Sequence, residues 1–380
     1  MAAVSAVLAG CGTGPLAGPP ASPARPGHRA AVLVKQARSG AAKTAAPCRR
    51  SAPVIGPLSA SFVTASEGWL LGITVLPCQG PVMGSRIALR KTTDGGRHWS
   101  PLPAPATGWG VPDASSTAGV SRIVFANPRD GWAFGPGLWA TRDGGARWHR
   151  VATHGAQVYS MASADGLVIA AFTVAGQPGG RFVIYTSPAA YDDWHPIAGA
   201  AGRGSPQVVI GAGTGYAIPQ GPPSGGTLLG GPADGAARWQ PRPLPCAAWP
   251  VAAASGAGLA IACSLIGAHP TPTREYLSTD GGWTWRRLTG LLLFDGAATL
   301  STPPGGPIII GGAYSGVLIS WDGGRTWHGA PTVDRSMIVG GGTGVTATMT
   351  DSQDGYAIAV MSQIWLTHDA GHTWTPVTIH

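Results

Sequence analysis

Seven tryptophans recur along the chain at nearly constant intervals, and this recurrence constrains the fold more than any other feature of the sequence. Successive members of the series are 49, 46, 45, 46, 42 and 47 residues apart. A repeat of this length corresponds to one supersecondary unit, which buries a continuous core only by packing against its neighbours. The tryptophans of the series are Trp99, Trp148, Trp194, Trp239, Trp285, Trp327 and Trp374.

Five of these tryptophans close one common motif, which reads Ser or Thr, any residue, Asp, any residue, Gly, any two residues, Trp. "TTDGGRHW" and "SWDGGRTW" are two of its copies. The two units in the middle of the chain hold weaker versions. Because the acid is repeated in every unit, we interpret it as part of a turn rather than as a catalytic group. The five full copies begin at Thr92, Thr141, Ser278, Ser320 and Thr367, and the weaker ones contain Asp192, Asp193 and Trp194, and Asp234, Gly235 and Trp239.

The segments around the motifs alternate in polarity as short β-strands do. In the second unit, turn residues separate "SRIVFAN", "GWAFG", "LWATRD" and "WHRVA", and the seventh unit repeats this order. Four short strands in a unit of about 45 residues are typical of a β-propeller blade. We therefore predict an all-β protein, in which residues 56–380 form a seven-bladed β-propeller of four-stranded blades. The first and last blades are expected to pack face to face.

The repeated motif resembles the Asp box of the sialidase and BNR-repeat families, in which the box is a structural turn. An Asp carboxylate in a tight turn accepts backbone N–H groups, and Gly allows a positive φ. A Trp ring fills the gap between neighbouring blades. The resemblance therefore implies structural roles for Asp94, Trp99, Asp143, Trp148, Asp280, Trp285, Asp322, Trp327, Asp369 and Trp374.

The complete unit is also similar to those of Ycf48/HCF136-like propellers, because "DGW" or "DGY" precedes "T-x-D-G-G-x-x-W" in several copies. Members of that group are non-catalytic scaffolds that bind partner proteins. The resemblance implies a scaffold that binds a protein, a peptide or a glycan. We expect a monomer that uses no cofactor and no catalytic residue.

The alternative is a divergent sialidase-like enzyme, or another glycoside hydrolase or lyase, with its site at the mouth of the central channel. Sialidases need a Tyr nucleophile activated by a Glu, together with three arginines that clamp a carboxylate. This chain has two glutamates. Glu67 occupies a turn position, while Glu275 and Tyr276 are adjacent on a strand and so point to opposite faces.

The N-terminus reads "MAAVSAVLAGCGTG", and its "LAGC" at residues 8–11 resembles the lipobox of bacterial lipoproteins. The resemblance implies an exported bacterial protein, held in the cell envelope or released outside the cell, with residues 1–11 as the signal segment and Cys11 as the lipid attachment. Residues 12–55 lack Phe, Trp and Tyr and predict a disordered Pro/Ala/Gly linker. A chance cysteine in an Ala-rich segment is the other interpretation, because no basic residue precedes the apolar run.

The net charge of +8 belongs to this N-terminal segment. Seven basic residues and no acid precede residue 51, and the remainder carries 18 basic and 17 acidic side chains. Nucleic-acid recognition needs a basic surface on the folded body, so we predict no nucleic-acid partner and membrane contact through the lipid alone. His368 and His372 have the spacing of a helical zinc motif, but they lie on a turn, and we predict no metal site.

The four other cysteines are even in number, which suggests disulfides in an exported chain. Cys246 lies near the start of one predicted strand and Cys263 near the end of the next strand of the same blade. This placement predicts that they are bridged, and Cys48 with Cys78 follows by elimination. A metal site is the alternative, although no C-x-x-C pair supports it.

The topology of a blade indicates which face of the propeller carries the binding site. Antiparallel strands place the motif turns on the same face as the turns between first and second strands. The connections of variable length fall on the opposite face, and long loops on a rigid scaffold are where binding residues concentrate. The candidate ligand residues on that face are Trp109, Asp113, Trp249, His269, Asp295, Asp334 and Arg335.

Overall fold

Twenty-nine strands in the described part of the chain form seven antiparallel sheets, and that part contains no helix. The computed structural model describes residues 54–379 except for 76–84, 112–117, 175–179, 221–225, 247–248, 257, 265–271, 289–291, 294–296, 313–315, 331–332 and 334–343.

The sheets follow one another along the chain, and each contains four consecutive strands paired in sequence order. The first blade contains β1 (Val54–Phe62), β2 (Gly68–Val75), β3 (Ile87–Thr92) and β4 (Ser100–Leu102), and the second contains β5 (Arg122–Phe125), β6 (Gly131–Phe134), β7 (Leu138–Thr141) and β8 (His149–Arg150). The third blade contains β9 (Ala156–Ala164), β10 (Leu167–Val174), β11 (Arg181–Pro188) and β12 (His195–Arg203). The fourth contains β13 (Ser205–Gly211), β14 (Thr214–Gln220), β15 (Thr227–Pro232) and β16 (Gln240–Pro243). The fifth blade contains β17 (Pro250–Ser255), β18 (Gly258–Ser264), β19 (Pro272–Ser278) and β20 (Arg286–Arg287), and β21 (Leu292–Leu293) pairs with β19. The sixth contains β22 (Ala297–Ser301), β23 (Ile308–Gly312), β24 (Gly316–Ser320) and β25 (His328–Gly329). The seventh contains β26 (Val345–Met349), β27 (Gly355–Ala359), β28 (Gln363–Thr367) and β29 (Thr375–Val377).

Burial changes across each blade from its first strand, which lines the centre, to its fourth. In the second blade, β5 alternates between exposed and buried residues, β6 is buried throughout, and both residues of β8 are exposed. A strand that is covered on both faces by neighbouring blades needs a continuous apolar run, which "GWAF" of β6 supplies. The strand β1 begins at Val54, two residues before the predicted start of the domain.

Seven hydrophobic cores lie between consecutive blades and close the chain into a ring. The core between the second and third blades, for example, joins Trp132 and Leu138 to Val168 and Ala170. The ring closes where Leu70 of the first blade and residues of the last blade share one core. These contacts establish the predicted seven-bladed β-propeller. The residues in the closing core are Ile55, Ala60, Leu70, Ile358, Ile364, Leu366 and Ile379.

Side chains on the first strands also join neighbouring blades around the centre. The inner edge of a first strand has no β-strand partner, so its backbone groups need other hydrogen-bond partners. Ser61 Oγ accepts the N–H of Phe125 in the next blade at 2.9 Å, and Ser301 Oγ accepts that of Met349 at 3.0 Å. Gln207 accepts the Ala252 N–H at 2.8 Å and donates to its carbonyl at 3.0 Å. Polar side chains of the first strands therefore form part of the lining at the centre of the ring.

Cys246 and Cys263 form a disulfide in the fifth blade, which is the pairing expected from their positions in the sequence. Cys263 lies near the end of β18 and pairs in the sheet with Pro250 at the start of β17, so the chain just before β17 passes beside it. Both cysteines are buried in the core between the fourth and fifth blades. Cys11, Cys48 and Cys78 lie outside the described residues, and their predicted roles stay predictions.

Candidate functional site at the central channel

Each full motif forms a turn between the third and fourth strands of its blade, called a box turn below. In the sixth blade, the Ser320 hydroxyl donates to Asp322 Oδ1 at 2.9 Å and accepts the Gly324 N–H at 2.8 Å. Asp322 Oδ1 accepts the Thr326 N–H at 2.9 Å, and Oδ2 accepts the Thr326 hydroxyl at 2.6 Å. Hydrogen bonds from Thr326 hold the pKa of Asp322 well below its usual range. This carboxylate is therefore committed to its turn.

The other four full motifs form the same turn. In each, the carboxylate accepts the backbone N–H four residues later, at 2.8 to 2.9 Å. Hydrogen bonding lowers the pKa of Asp94, Asp143 and Asp280. In each case the largest contribution comes from the residue four positions later in the chain. Each of these carboxylates stabilises its own turn by hydrogen bonds, so the acids do not form a group of catalytic residues. They are Asp94, Asp143, Asp280 and Asp369.

The tryptophan that ends each unit packs against the core between its own blade and the preceding one. Two of the indoles also reach the preceding blade by hydrogen bonds: Trp148 Nε1 donates to the Pro103 carbonyl at 3.1 Å, and Trp285 Nε1 donates to the Pro243 carbonyl at 2.8 Å. The Nε1 atoms of Trp194 and Trp327 are both buried, and neither has a hydrogen-bond acceptor among the described residues.

The third unit departs from the motif in a way that the sequence did not reveal. Asp192 reaches back to the second blade, where its Oδ1 accepts Arg142 Nη2 at 2.6 Å and Trp132 Nε1 at 3.2 Å. Its Oδ2 lies 2.7 Å from His149 Nε2. This acid joins two blades and does not fasten its own turn.

The box turns share one face of the propeller with the turns between first and second strands. Gly95 N–H donates to the Ser66 carbonyl at 2.9 Å, and Ala370 N–H donates to the Gln353 carbonyl at 2.8 Å. We call this side the box face. The opposite side, called the loop face, carries the connections between second and third strands and those between blades.

A channel runs through the centre of the ring and opens on both faces. Its box-face end is a cavity of about 800 Å³ lined by the ends of the first strands and the turns that follow them. Its loop-face end is a cavity of about 480 Å³ lined mainly by the starts of those strands. Both ends share lining residues such as Met161, Gln207 and Thr348, which identifies them as parts of one channel.

Four of the side chains that line the loop-face end are called the mouth cluster: Arg122, Tyr159, Gln220 and Trp249. Arg122 Nη1 donates to the Tyr159 carbonyl at 2.7 Å, and its guanidinium carbon lies 5.9 Å from the centre of the Tyr159 ring. Gln220 Nε2 donates to the Pro250 carbonyl at 2.6 Å. Trp249 is 46% exposed and has a φ of 43°, an uncommon conformation for a residue other than Gly.

Arg122 combines contact with water and enclosure by protein. Its side chain is exposed to the channel, while the surrounding blades desolvate it and lower its pKa. An arginine still carries its charge at neutral pH. No described carboxylate forms an ion pair with it, and Asp165, the single acid among the described lining residues, lies at the other end of the channel.

Two of the predicted ligand residues, Trp109 and Trp249, lie in the described part of the chain, and their surroundings differ. Trp249 lines the loop-face end of the channel. Trp109 is half-buried, packs against the core between the first and second blades, and donates its backbone N–H to the Ser85 carbonyl at 2.9 Å, so it has a packing role. The other candidates lie outside the described residues: Asp113, His269, Asp295, Asp334 and Arg335.

Sequence reasoning missed Arg122, Tyr159 and Gln220, which come from three different blades. One signal was available: Arg122 opens the first strand of its blade, where the equivalent positions near Ser59 and Thr299 carry small hydroxyl residues. A large cation at a position that lines a narrow channel is unusual enough to mark a candidate site.

Glu275 lies apart from the channel lining and is only 2% exposed. Burial raises its pKa to about 8, and neither carboxyl oxygen has a hydrogen-bond partner among the described residues. Tyr276 packs against the core between the fourth and fifth blades, whereas Leu277, on the Glu275 face of β19, packs against the next core. The two side chains therefore point apart, as strand alternation predicts. No described group of three or more His, Cys, Asp or Glu residues could hold a metal ion.

Comparison with known proteins establishes the fold and no closer relationship. No family model and no curated protein matches the chain. The structure of YCF48 bound to a D1 peptide is similar, with a TM-score of 0.55 and 17% identity over 84% of this chain and 95% of that chain. YCF48 from Cyanidioschyzon merolae gives a TM-score of 0.54 and 16% identity over 85% and 98%. The GH74 enzyme of Niastella koreensis gives a TM-score of 0.40 and 12% identity over 84% and 54%.

Proposed function

We propose that this chain is a non-catalytic scaffold that binds a short, extended segment of a protein partner at the loop-face end of its channel. The observation that carries the proposal is the mouth cluster, which places Arg122, Gln220 and two aromatic rings around one cavity. Aromatic side chains and arginine are the residues that most often dominate protein recognition. A cavity of about 480 Å³ lies within the usual range for small ligands, so it suits a few peptide residues rather than a folded domain.

The comparison with YCF48 supports a peptide over a glycan. A protein with this fold binds a D1 peptide. Arg122 has no ion-pair partner among the described residues, which also favours a ligand that carries an acid over a neutral sugar. The two-carboxylate chemistry of a glycoside hydrolase needs a pair of acids at a defined separation. The described channel lining offers a single acid, so no observation favours the enzymatic alternative.

A library of short random peptides tests this proposal directly. We expect selected peptides to slow amide hydrogen exchange at the starts of β5, β9, β13 and β17, which surround the loop-face cavity. Exchange in the box turns should not change, because they lie on the other face. Protection confined to the box turns would contradict the proposal, and so would a failure to select any peptide above an unrelated propeller.

We also propose that the chain is exported and attached to a membrane through a lipid on Cys11. "LAGC" supports the attachment, and the Cys246–Cys263 disulfide is consistent with an oxidising compartment. No described helix has the length and apolar character of a membrane span.

Metabolic labelling with radioactive palmitate in a bacterial host tests the attachment. The unchanged chain should carry label and sediment with membranes, whereas Cys11→Ala should lose the label and move to the soluble fraction. Cys78→Ala is the matched control, because it removes a different cysteine and should keep the label. Equal label in the Cys11→Ala variant would rule out this site.

A further inference from the structure

The hydrogen bonds of Arg122 leave most of its donors unused. A guanidinium carries five N–H groups, and Arg122 directs one of them, on Nη1, to the Tyr159 carbonyl. No other described residue accepts a hydrogen bond from this side chain. A cation enclosed by protein is costly unless an anion or hydrogen-bond acceptors compensate it. The described residues therefore supply the Arg122 guanidinium with one hydrogen-bond acceptor and no counterion.

The charge distribution of the channel increases the effect of this cation. Arg122 and Asp165 are the charged residues among the described lining, and they lie at opposite ends. Asp165 Oδ2 accepts the Gly213 N–H at 3.2 Å on the box face, so it does not neutralise Arg122. Because low-dielectric walls focus the field of a charge into a cleft, the loop-face end should attract anions.

The guanidinium is also held in place. Its bond to the Tyr159 carbonyl fixes one nitrogen, and its guanidinium carbon lies 5.9 Å from the centre of the Tyr159 ring. A fixed planar fork matches a carboxylate, which can accept two parallel N–H groups. Trp249 lines the same cavity and offers an apolar surface to the residue that carries the acid. From these features we propose that Arg122 binds a carboxylate of the peptide ligand in the loop-face end of the channel.

This inference rests on the proposed function, and it identifies the ligand as an acidic peptide. The carboxylate can come from a peptide C-terminus or from an Asp or Glu side chain, since both present the same two oxygens. Arg122 is then the residue that determines specificity, while Tyr159 and Trp249 form the walls of the site.

The first test needs no peptide, so it is independent of the proposed function. Sodium acetate is titrated into the full chain at constant ionic strength, with sodium chloride as the reference salt, and the Nε–H resonances of the arginines are followed by NMR. Arg122→Gln assigns the Arg122 resonance. We expect a saturable acetate shift at Arg122 and none at Arg97, an exposed arginine of a box turn. A shift no larger than that caused by chloride would overturn the inference.

The second test separates the two sources of the carboxylate. Each selected peptide is compared with its C-terminal amide and with a version whose Asp and Glu are changed to Asn and Gln. We expect one of these changes to weaken binding about 30-fold. The same loss is expected for Arg122→Gln with the unmodified peptide, and Arg97→Gln should bind normally.

The conservative variant distinguishes recognition from folding. Arg122→Lys keeps the charge but loses the planar fork, so it should keep the thermal unfolding temperature and bind with an intermediate loss. Full affinity in both Arg122 variants would overturn the carboxylate site while leaving peptide binding intact. An acetate shift at Arg122 without peptide protection on the loop face would instead retain this site and contradict the proposed function.

Discussion

Charged side chains in this protein differ in whether neighbouring residues supply their hydrogen-bond partners and counterions. Asp322 receives hydrogen bonds from its own turn, and these bonds lower its pKa. Arg122 has one described acceptor and no described counterion. The hydrogen bonds of its own turn account for the surface acid Asp322, whereas an enclosed cation with no counterion in the described part of the chain points to a ligand.

Glu275 provides a prediction at the residue scale. Burial raises its pKa from 4.5 in the unfolded chain to about 8 in the folded one. Between those pH values the folded state keeps a proton that the unfolded state has lost, so this group lowers the free energy of unfolding as pH rises. Glu275→Gln cannot ionise, and it should gain stability over the unchanged chain by an amount on the order of a few kcal/mol across this range.

Urea unfolding measured at a series of pH values checks this difference. The two curves should be parallel below pH 4.5, diverge up to about pH 8, and run parallel again above it. Curves that stay parallel throughout would show that the pKa of Glu275 is the same in the folded and the unfolded chain. Strand alternation predicted that Glu275 and Tyr276 point apart, but the raised pKa depends on neighbouring strands that a single sequence segment does not reveal.

The box turn is the element that repeats, and its hydrogen bonds should measurably stabilise a blade. Asp322→Ala removes the acceptor for Ser320, Arg325 and Thr326. The variant should be less stable, because four hydrogen bonds of the turn are lost, one of them partly buried and three exposed. The urea midpoint of this variant should fall clearly below that of the unchanged chain.

Asp234→Ala is the matched control for this element. Asp234 occupies the same region of the fourth blade, but a single hydrogen bond to it is described, from the Ala236 N–H at 2.9 Å. Its loss should therefore be the smaller of the two. Equal midpoints for Asp234→Ala and Asp322→Ala would mean that the box-turn hydrogen bonds add little to stability.

Strands and box turns could be predicted because their signals are local. Polarity alternates within each strand, and the motif completes its turn within eight residues. The contacts of Asp192 could not be predicted, since its partners Arg142 and His149 belong to another blade. The same limit applies to the mouth cluster, whose members lie on separate blades and connections and meet only because the ring closes.

At the scale of the whole molecule, ring closure creates both the channel and the distinction between its faces. The first and last blades share a core, and the Tyr356 hydroxyl of the last blade donates to the Ala60 carbonyl of the first at 2.8 Å. The box turns occupy one face, and the mouth cluster lies at the end of the channel that opens on the other. The assignment of the turns to the two faces could be derived from topology alone, whereas the members of the mouth cluster could be identified only from the structure.

The affinity of a selected peptide for two tryptophan variants tests the central claim most directly. Trp249 is 46% exposed on the loop face, and Trp283 is 51% exposed on the box face, so each variant removes an equally accessible indole. Trp249→Ala should weaken binding about tenfold or more, as expected for an aromatic residue in a binding site, while Trp283→Ala should leave it nearly unchanged. The opposite pattern would place the binding site on the box face and contradict the proposed function.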